Sequence, residues 1–487
     1  MNITRHTWYP IVLGLLATLV GLCAITQQSL WMDEGSTAFK ALMPTFKDWV
    51  AITYRLGGSD IQMPLYMVAV WAWVKIGFIS EYALRCINLP FLVLMVLALR
   101  RVRFWPLVCL ASPFVLYYVG ELRPYTLQMA AGALVAAGLA RIIESRRTST
   151  FDGLHTVALG CLLLTLSSLT AAVWAAGAVL AVVILRPDWL KTPGFWTRSL
   201  PWCLTALIVI AYYIHTLQQG YRAATSGGGG LLSIGFGFYE ILGLLGIGPT
   251  RNELRATPFS LVSHLAWLIP AFFCLAGAWS AGVRTWLSRT DRGSIIAVTA
   301  AVLLPLLTLA LVGLTQDFRV LGRHLSPAIP AVLLPIALCL ESGTRKVVPN
   351  FILATCALIV FLVSSLCLRL QERHARDDYQ AATSIAIDAL KKGKRVLWQA
   401  DMNATRYYAY RQGGMRYVHA LQQLEADPPG LMFADLVVIN RPDLRFKGTD
   451  YKEQLRKNGF KIQSSLLGFE IWSNLGLPPS SQDTRIQ

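Results

Sequence analysis

Gln62-Met63-Pro64-Leu65-Tyr66-Met67-Val68-Ala69-Val70-Trp71-Ala72-Trp73-Val74-Lys75-Ile76-Gly77-Phe78 is the stretch whose reading decides the fold, because every later segment changes side according to whether it crosses a membrane. The chain around it has 487 residues, 55% hydrophobic and 15% charged, with apolar runs of bilayer-spanning length. That composition makes an integral membrane protein. At roughly fifteen residues the run from Met63 to Phe78 is short for a crossing, which takes about 20. Its status follows from the basic cluster beyond it. Arg100, Arg101 and Arg103 belong in the cytoplasm by the positive-inside rule. A full crossing at 63–78 would make the span Ala83 to Leu99 carry them outside. A tilted or re-entrant outer segment leaves them inside, and that is the reading adopted.

Working outward, the run from Ile11 to Ile25 behind Arg5 and His6 reads as an uncleaved first helix with its amino end in the cytoplasm. Asp33 and Glu34 then face the outside. From Ala38 to Gly58 the near-helical spacing of Phe39, Leu42, Phe46, Trp49 and Ile52 predicts one helix lying in the interface. Phe104 to Val119 delivers Glu121 and Arg123 outside, and basic loops alternate regularly from there. The expectation is a mostly α, polytopic membrane protein of about eleven transmembrane helices plus interfacial helices, with its tail outside. Residues 1–369 form the membrane domain. Residues 370–487 read as a small extracytoplasmic α/β domain: a helix over Tyr379 to Leu390, strands at Val396–Gln399, Leu436–Asn440, Phe460–Ser465 and Phe469–Trp472, and Gly459 as a helix stop. A Pro-Pro-Ser-Ser stretch near its end reads as disordered.

The net charge of +17 is accounted for by the positive-inside bias, and no basic stripe interleaved with aromatics points to nucleic acid. All nine cysteines lie in or beside apolar spans and read as small buried residues, with neither a disulfide framework nor a metal site implied.

Three outer segments carry the candidate chemistry. Trp31-Met32-Asp33-Glu34-Gly35-Ser36 sets two adjacent carboxylates at the membrane surface. Alone they read as capping groups for a helix starting near Ser36. The loop from Gln218 to Ser260 holds the glycine run 227–230, a hinge or a plain linker, then an apolar segment and the pair Arg251 and Arg255. Four apart, these share one helical face suited to gripping a phosphate, or to ordinary headgroup contact. The third segment, Gln316 to Pro327, places Arg319 and Arg323 outside against the positive-inside bias, which points to an anionic ligand. His324 alone reads as a hydrogen-bonding histidine.

Taken together, Trp31-x-Asp33-Glu34, Met63-Pro64-Leu65-Tyr66, Tyr82-Ala83-Leu84-Arg85, Glu121-Leu122-Arg123-Pro124-Tyr125 and Arg323-His324-Leu325-x-Pro327 resemble, in that order, the C-type glycosyltransferase (GT-C) superfamily, and within it the protein O-mannosyltransferases and the aminoarabinose transferases of lipid A. The resemblance implies an enzyme that takes a sugar from a polyprenyl-phosphate carrier and transfers it with inversion to a glycan, lipid or protein acceptor, on the outer side of the cytoplasmic membrane. Its substrates and the membrane lipids are then the partners, and no metal is demanded. It assigns Asp33 as general base, Glu34 as its neighbour and Glu121 as a second outer acid. Gln62 and Met63 stand where many relatives have His or Lys, which moves the donor-phosphate role to Arg251, Arg255, Arg323 and His324. Arg123, Tyr66 and Arg319 are left as substrate-positioning residues. A competing class is a transporter or flippase for a lipid-linked sugar, which would show internal repeats or charges inside the spans.

Overall fold

In the computed structural model the described residues are 8–145, 151–221, 230–257, 259–345, 348–425, 434–441 and 451–474. The chain divides into two compact units, one of residues 1–26 with 46–374 and the other of residues 27–45 with 375–487. The Asp33-Glu34 segment therefore clusters with the C-terminal residues.

The helices, in chain order, begin with α1 (Trp8–Ala24), α2 (Met32–Ala41), α3 (Phe46–Leu56), α4 (Pro64–Lys75), α5 (Glu81–Arg85) and α6 (Leu89–Leu99). Next come α7 (Trp105–Ala111), α8 (Pro113–Val119), α9 (Tyr125–Glu144), α10 (Leu154–Ser167), α11 (Leu169–Leu185) and α12 (Pro193–Gln218). They continue with α13 (Leu231–Ile241), α14 (Arg251–Ala256), α15 (Ser260–Ser263), α16 (Leu265–Leu287), α17 (Arg292–Thr315), α18 (Ile329–Arg345) and α19 (Val348–Leu370). The last four are α20 (Tyr379–Lys391), α21 (Met402–Gly413), α22 (Met415–Glu425) and α23 (Tyr451–Lys457).

The first unit is the membrane bundle. Among the described residues seven helical segments are long and apolar enough to cross a membrane, and four more apolar helices are shorter. The runs read as spans have helical counterparts, but several are interrupted, among them 83–99 by the 3₁₀ turn Cys86–Asn88 and 104–119 at Ser112. Ser112 is extended (ψ 124°) and separates α7 from α8. The cause is Pro113, which pushes the preceding residue out of the helical region. α4 has 12 residues, about 18 Å at 1.5 Å per residue, well under the ~30 Å of a hydrocarbon core.

α9 is the centre of the bundle. It is buried on nearly every side, against α6, α10 and the 3₁₀ turn Gly322–Ala328. Its small residues make this possible: a Cβ at Gly132 would lie 2.0 Å from the Pro327 carbonyl oxygen. The outermost helices are the opposite case. Leu303, Leu307, Leu311 and Leu314 on α17 and Leu200, Leu204 and Leu207 on α12 form exposed stripes at helical spacing. Such stripes suit lipid contact, where apolar side chains need no burial in protein.

The second unit is an α/β domain. Its four strands, β1 (Val396–Gln399), β2 (Leu436–Asn440), β3 (Phe460–Leu466) and β4 (Phe469–Asn474), lie in the order β1-β2-β4-β3. β1 and β2 are parallel, so α21 and α22 fill the connection between them; β3 and β4 form an antiparallel hairpin. Gly459 takes φ +82°, the left-handed turn that ends α23 and feeds β3. α20 occupies the predicted helix, whereas α21, with little apolar periodicity, and the amphipathic α22, with Val418 and Leu421 buried, go beyond the helices expected from the sequence. The Pro-Pro-Ser-Ser stretch and glycines 227–229 lie outside the described residues.

The single interfacial helix expected over 38–58 is two helices, α2 and α3, and they fall in different units. Pro44 cannot continue a helix, which breaks the periodic pattern between Leu42 and Thr45. Phe39 is accordingly a core residue, fully buried and edge-on to Tyr410 at 5.8 Å.

Candidate active site

In the α/β unit, α2 begins at Met32, earlier than the Ser36 expected, so both acids lie in its first turn, where the exposed amides and the dipole favour them. Their environments differ. Glu34 is fully buried; its Oε2 accepts the backbone N–H of Trp31 (2.9 Å) and pairs with Arg376. Asp33 is part-exposed. The helix is held closely against α21, since a Cβ on Gly35 would fall 2.3 Å from the Ala404 Cα. Leu30 N–H donates to Tyr408 Oη (2.7 Å), and Ser29 Oγ to Asp378 Oδ1 (3.0 Å). Glu34 thus fixes the turn that presents Asp33.

In the membrane unit, Glu121 and Arg123 form the turn between α8 and α9. Arg123 is buried and makes an ion pair with Asp60 at 2.6 Å, while donating to Ser59 Oγ at 2.9 Å. Asp60 belongs to the 3₁₀ turn Ser59–Gln62, which Tyr212 Oη supports by donating to the Ile61 carbonyl (2.7 Å). Tyr66 acts through an intermediary. Its hydroxyl donates to Asn88 Oδ1 (3.1 Å), and Asn88 Nδ2 donates to the carbonyls of Val119 (3.1 Å) and Glu121 (2.5 Å). Tyr66 and Asn88 therefore position the turn that carries Glu121.

Arg123, Arg323 and His324 come together on one polar crevice with Gln62, Gln128 and Ser168. At about 20 Å³ it has room for a single water. Gln128 ties it together, donating to Ser168 Oγ (3.0 Å) and accepting from Ser326 Oγ (2.7 Å). His324 Nδ1 accepts the backbone N–H of Leu321 at 3.0 Å. An accepting Nδ1 bears no proton, so the neutral ring carries its proton on Nε2 and is a donor there.

Arg251 joins the same turn indirectly. Its Nη2 donates to Glu240 Oε1 (3.1 Å), and Glu240 Oε2 accepts the backbone N–H of Gly322 (2.8 Å). Burial disfavours the Arg251 cation, and the Glu240 carboxylate with the nearby Tyr118 outweighs that cost, so its pKa is raised. Arg319 is half-buried beside this turn and does not line the crevice. The side chain of Arg255 lies outside the described residues.

Beyond the crevice lies an apolar cavity of about 260 Å³, lined among others by Trp105, Gly132, Leu164, Trp174, Pro327 and Ala331. The two are one helical turn apart on three elements. Gln128 and Gly132 mark the step on α9, Ser168 and Leu164 at the end of α10, His324 and Ala328 on the 3₁₀ turn. Trp174 bridges them, its Nε1 donating to the His324 carbonyl at 3.0 Å. A polar crevice carrying arginine side chains beside a mostly apolar cavity pairs the two chemistries of an anionic lipid.

No family model matches the chain, and no curated protein matches it. Among solved structures, ArnT from Cupriavidus metallidurans bound to undecaprenyl phosphate superposes over 97% of this chain and 99% of its own, with a TM-score of 0.55 at 13% identity. The chain has the GT-C fold. The arabinofuranosyltransferase AftD from mycobacteria aligns with 97% of this chain and 40% of its own (TM-score 0.48, 16% identity). The Archaeoglobus fulgidus oligosaccharyltransferase aligns with 90% and 70% (0.42, 11%). At TM-scores below 0.5 neither adds to the fold reading. Within the GT-C fold of this chain, Asn88, Gln128 and Glu240 are the site residues that sequence reasoning missed. Only Glu240 carried a signal, as a lone acid inside the apolar run 236–247.

Proposed function

We propose that the protein is an inverting glycosyltransferase that moves a sugar from a polyprenyl-phosphate carrier to an acceptor hydroxyl on the outer side of the cytoplasmic membrane, with the amino terminus cytoplasmic and the C-terminal domain outside. The observation that carries this reading is the polar crevice of Arg123, Arg323 and His324 at the head of an apolar cavity, in a chain whose fold is that of a protein solved with undecaprenyl phosphate bound. The positive-inside bias supports the orientation.

In this mechanism the acceptor oxygen attacks the anomeric carbon from the face opposite the phosphate, and the Asp33 carboxylate takes its proton. The bond from that carbon to the phosphate oxygen breaks, and the lipid phosphate leaves with the electron pair. Phosphate is stable as an anion, so no acid is required to protonate it, unlike the leaving group of a glycoside hydrolase. Arg251 and Arg323 balance the charge as it develops, where preorganised cations count most. His324 Nε2–H supplies a neutral donor, and Glu121 orients the acceptor. The hydrocarbon chain occupies the apolar cavity.

The experiment is transfer by purified protein in nanodiscs, offered sugars on isoprenyl phosphates of several chain lengths, with Ala331→Phe beside wild type. The phenyl ring fills part of the cavity. The expected result is consumption of one donor sugar by wild type, and in Ala331→Phe a rise of about tenfold in KM for long-chain donors with geranyl-phosphate donors unchanged. An equal effect on both lengths would refute the cavity's role. Passage of lipid-linked sugar across the bilayer without consumption would replace the enzyme with a transporter.

A further inference from the structure

Glu240 is an acid in a place that needs a reason. It stands in the last turn of α13, is 4% exposed, and lies within an otherwise apolar run. Its two oxygens face two different parts of the candidate site: Oε1 takes Arg251 Nη2 at 3.1 Å and Oε2 takes the Gly322 N–H at 2.8 Å. Gly322 opens the 3₁₀ turn that bears Arg323 and His324. The two outer arginine loops, about seventy residues apart in sequence, are thus joined by one buried carboxylate.

The two partners are not equally committed. Glu240 is buried and held close to the turn: a Cβ on Gly322 would lie 2.7 Å from its Oε2. The Arg251 side chain is 26% exposed and lies over the Phe236 ring at 5.5 Å, on the short helix α14. A guanidinium presents five donors and can serve two anions at once.

We propose that Glu240 is a positioning residue of the phosphate site, an internal anion that holds Arg251 against the Gly322–Ala328 turn and shares it with the lipid phosphate when that binds. The inference rests on the glycosyltransferase reading above. Without ligand, the pair avoids leaving a cation unbalanced where burial penalises it. With ligand, the carboxylate competes for Arg251 and repels the phosphate. That repulsion grows when the sugar leaves, because the departing lipid phosphate gains a negative charge. Glu240 therefore sets how tightly the product is held, and its charge favours release.

The test is binding of farnesyl phosphate to purified protein in detergent, together with steady-state kinetics. Glu240→Gln keeps the size and one acceptor oxygen and removes the charge. The expected result is farnesyl phosphate bound at least about tenfold tighter, because the removed carboxylate charge no longer repels the phosphate. kcat falls as release slows, with KM falling alongside it. In the Glu240→Gln, Arg251→Gln double variant the gain disappears. Glu240→Asp draws the carboxylate back by one methylene and is expected to tighten binding about threefold, which carries the test if the glutamine variant does not fold. Unchanged or weaker binding in the folded variants, or a gain that survives loss of Arg251, overturns this inference while leaving wild-type binding intact. Failure of wild type to bind farnesyl phosphate at all overturns it together with the reading beneath it.

Discussion

Asp33→Asn is expected to lower glycosyl transfer by about 10²- to 10⁴-fold, the range a positioned general base supplies, while farnesyl phosphate binding stays within about twofold of wild type. The asparagine keeps shape and hydrogen bonding and removes the proton acceptor. Because Asp33 is part-exposed in the first turn of α2, the substitution leaves the packing of that helix untouched. Glu34→Gln makes the contrast. Glu34 is buried on Arg376 and the Trp31 N–H, so its loss is expected to lower the melting temperature as well as the rate. Single-turnover assays beside thermal unfolding separate the two. Full activity in Asp33→Asn would remove the base from the mechanism.

The second large effect belongs to Arg123. Its ion pair with Asp60 has both side chains 3% exposed, and truncation takes the cation away from a buried carboxylate. Arg123→Ala is expected to destabilise the membrane unit by about 3–5 kcal/mol, the usual cost of breaking such a pair. Asp60→Asn in the same chain is expected to restore a good part of the loss, because the buried charge is then gone. Melting temperatures of the two single variants and the double variant measure the coupling. Additive losses would show that Arg123 and Asp60 act independently. The same cycle run on transfer rates asks whether Arg123 also contributes to the crevice it lines.

Glu240 and Asn88 illustrate where sequence reading stops. Glu240 sits among Phe236, Gly237, Tyr239 and Ile241, so the run reads as apolar and nothing along it points to a partner for its one charge. Its partners come from residues 251 and 322, and nothing local points to either. Asn88 follows Cys86 and Ile87 at the head of a span, where nothing local singles it out, yet it joins Tyr66 to the Glu121 turn. Arg319 and Arg323 are legible for another reason: a cation expected outside the membrane, against the orientation bias, stands out one residue at a time.

What the sequence determined alone is what depends on neighbours along the chain. Apolar length set the spans and 4-to-8-residue β-rich runs set the strands; Val396–Gln399 and Leu436–Asn440 appear where the pattern put them. The short run at 62–78 likewise forms a helix of only 12 residues. The tertiary structure decided what depends on distant partners. It assigned the segment of residues 27–45 to the C-terminal unit, made Glu34 a clamp and left Asp33 part-exposed, and put Arg123, Arg323 and His324 on one crevice above one cavity. Hydrophobic periodicity is a one-dimensional property and survives in the sequence; which buried charge meets which is a matter of packing, and only the folded chain fixes it.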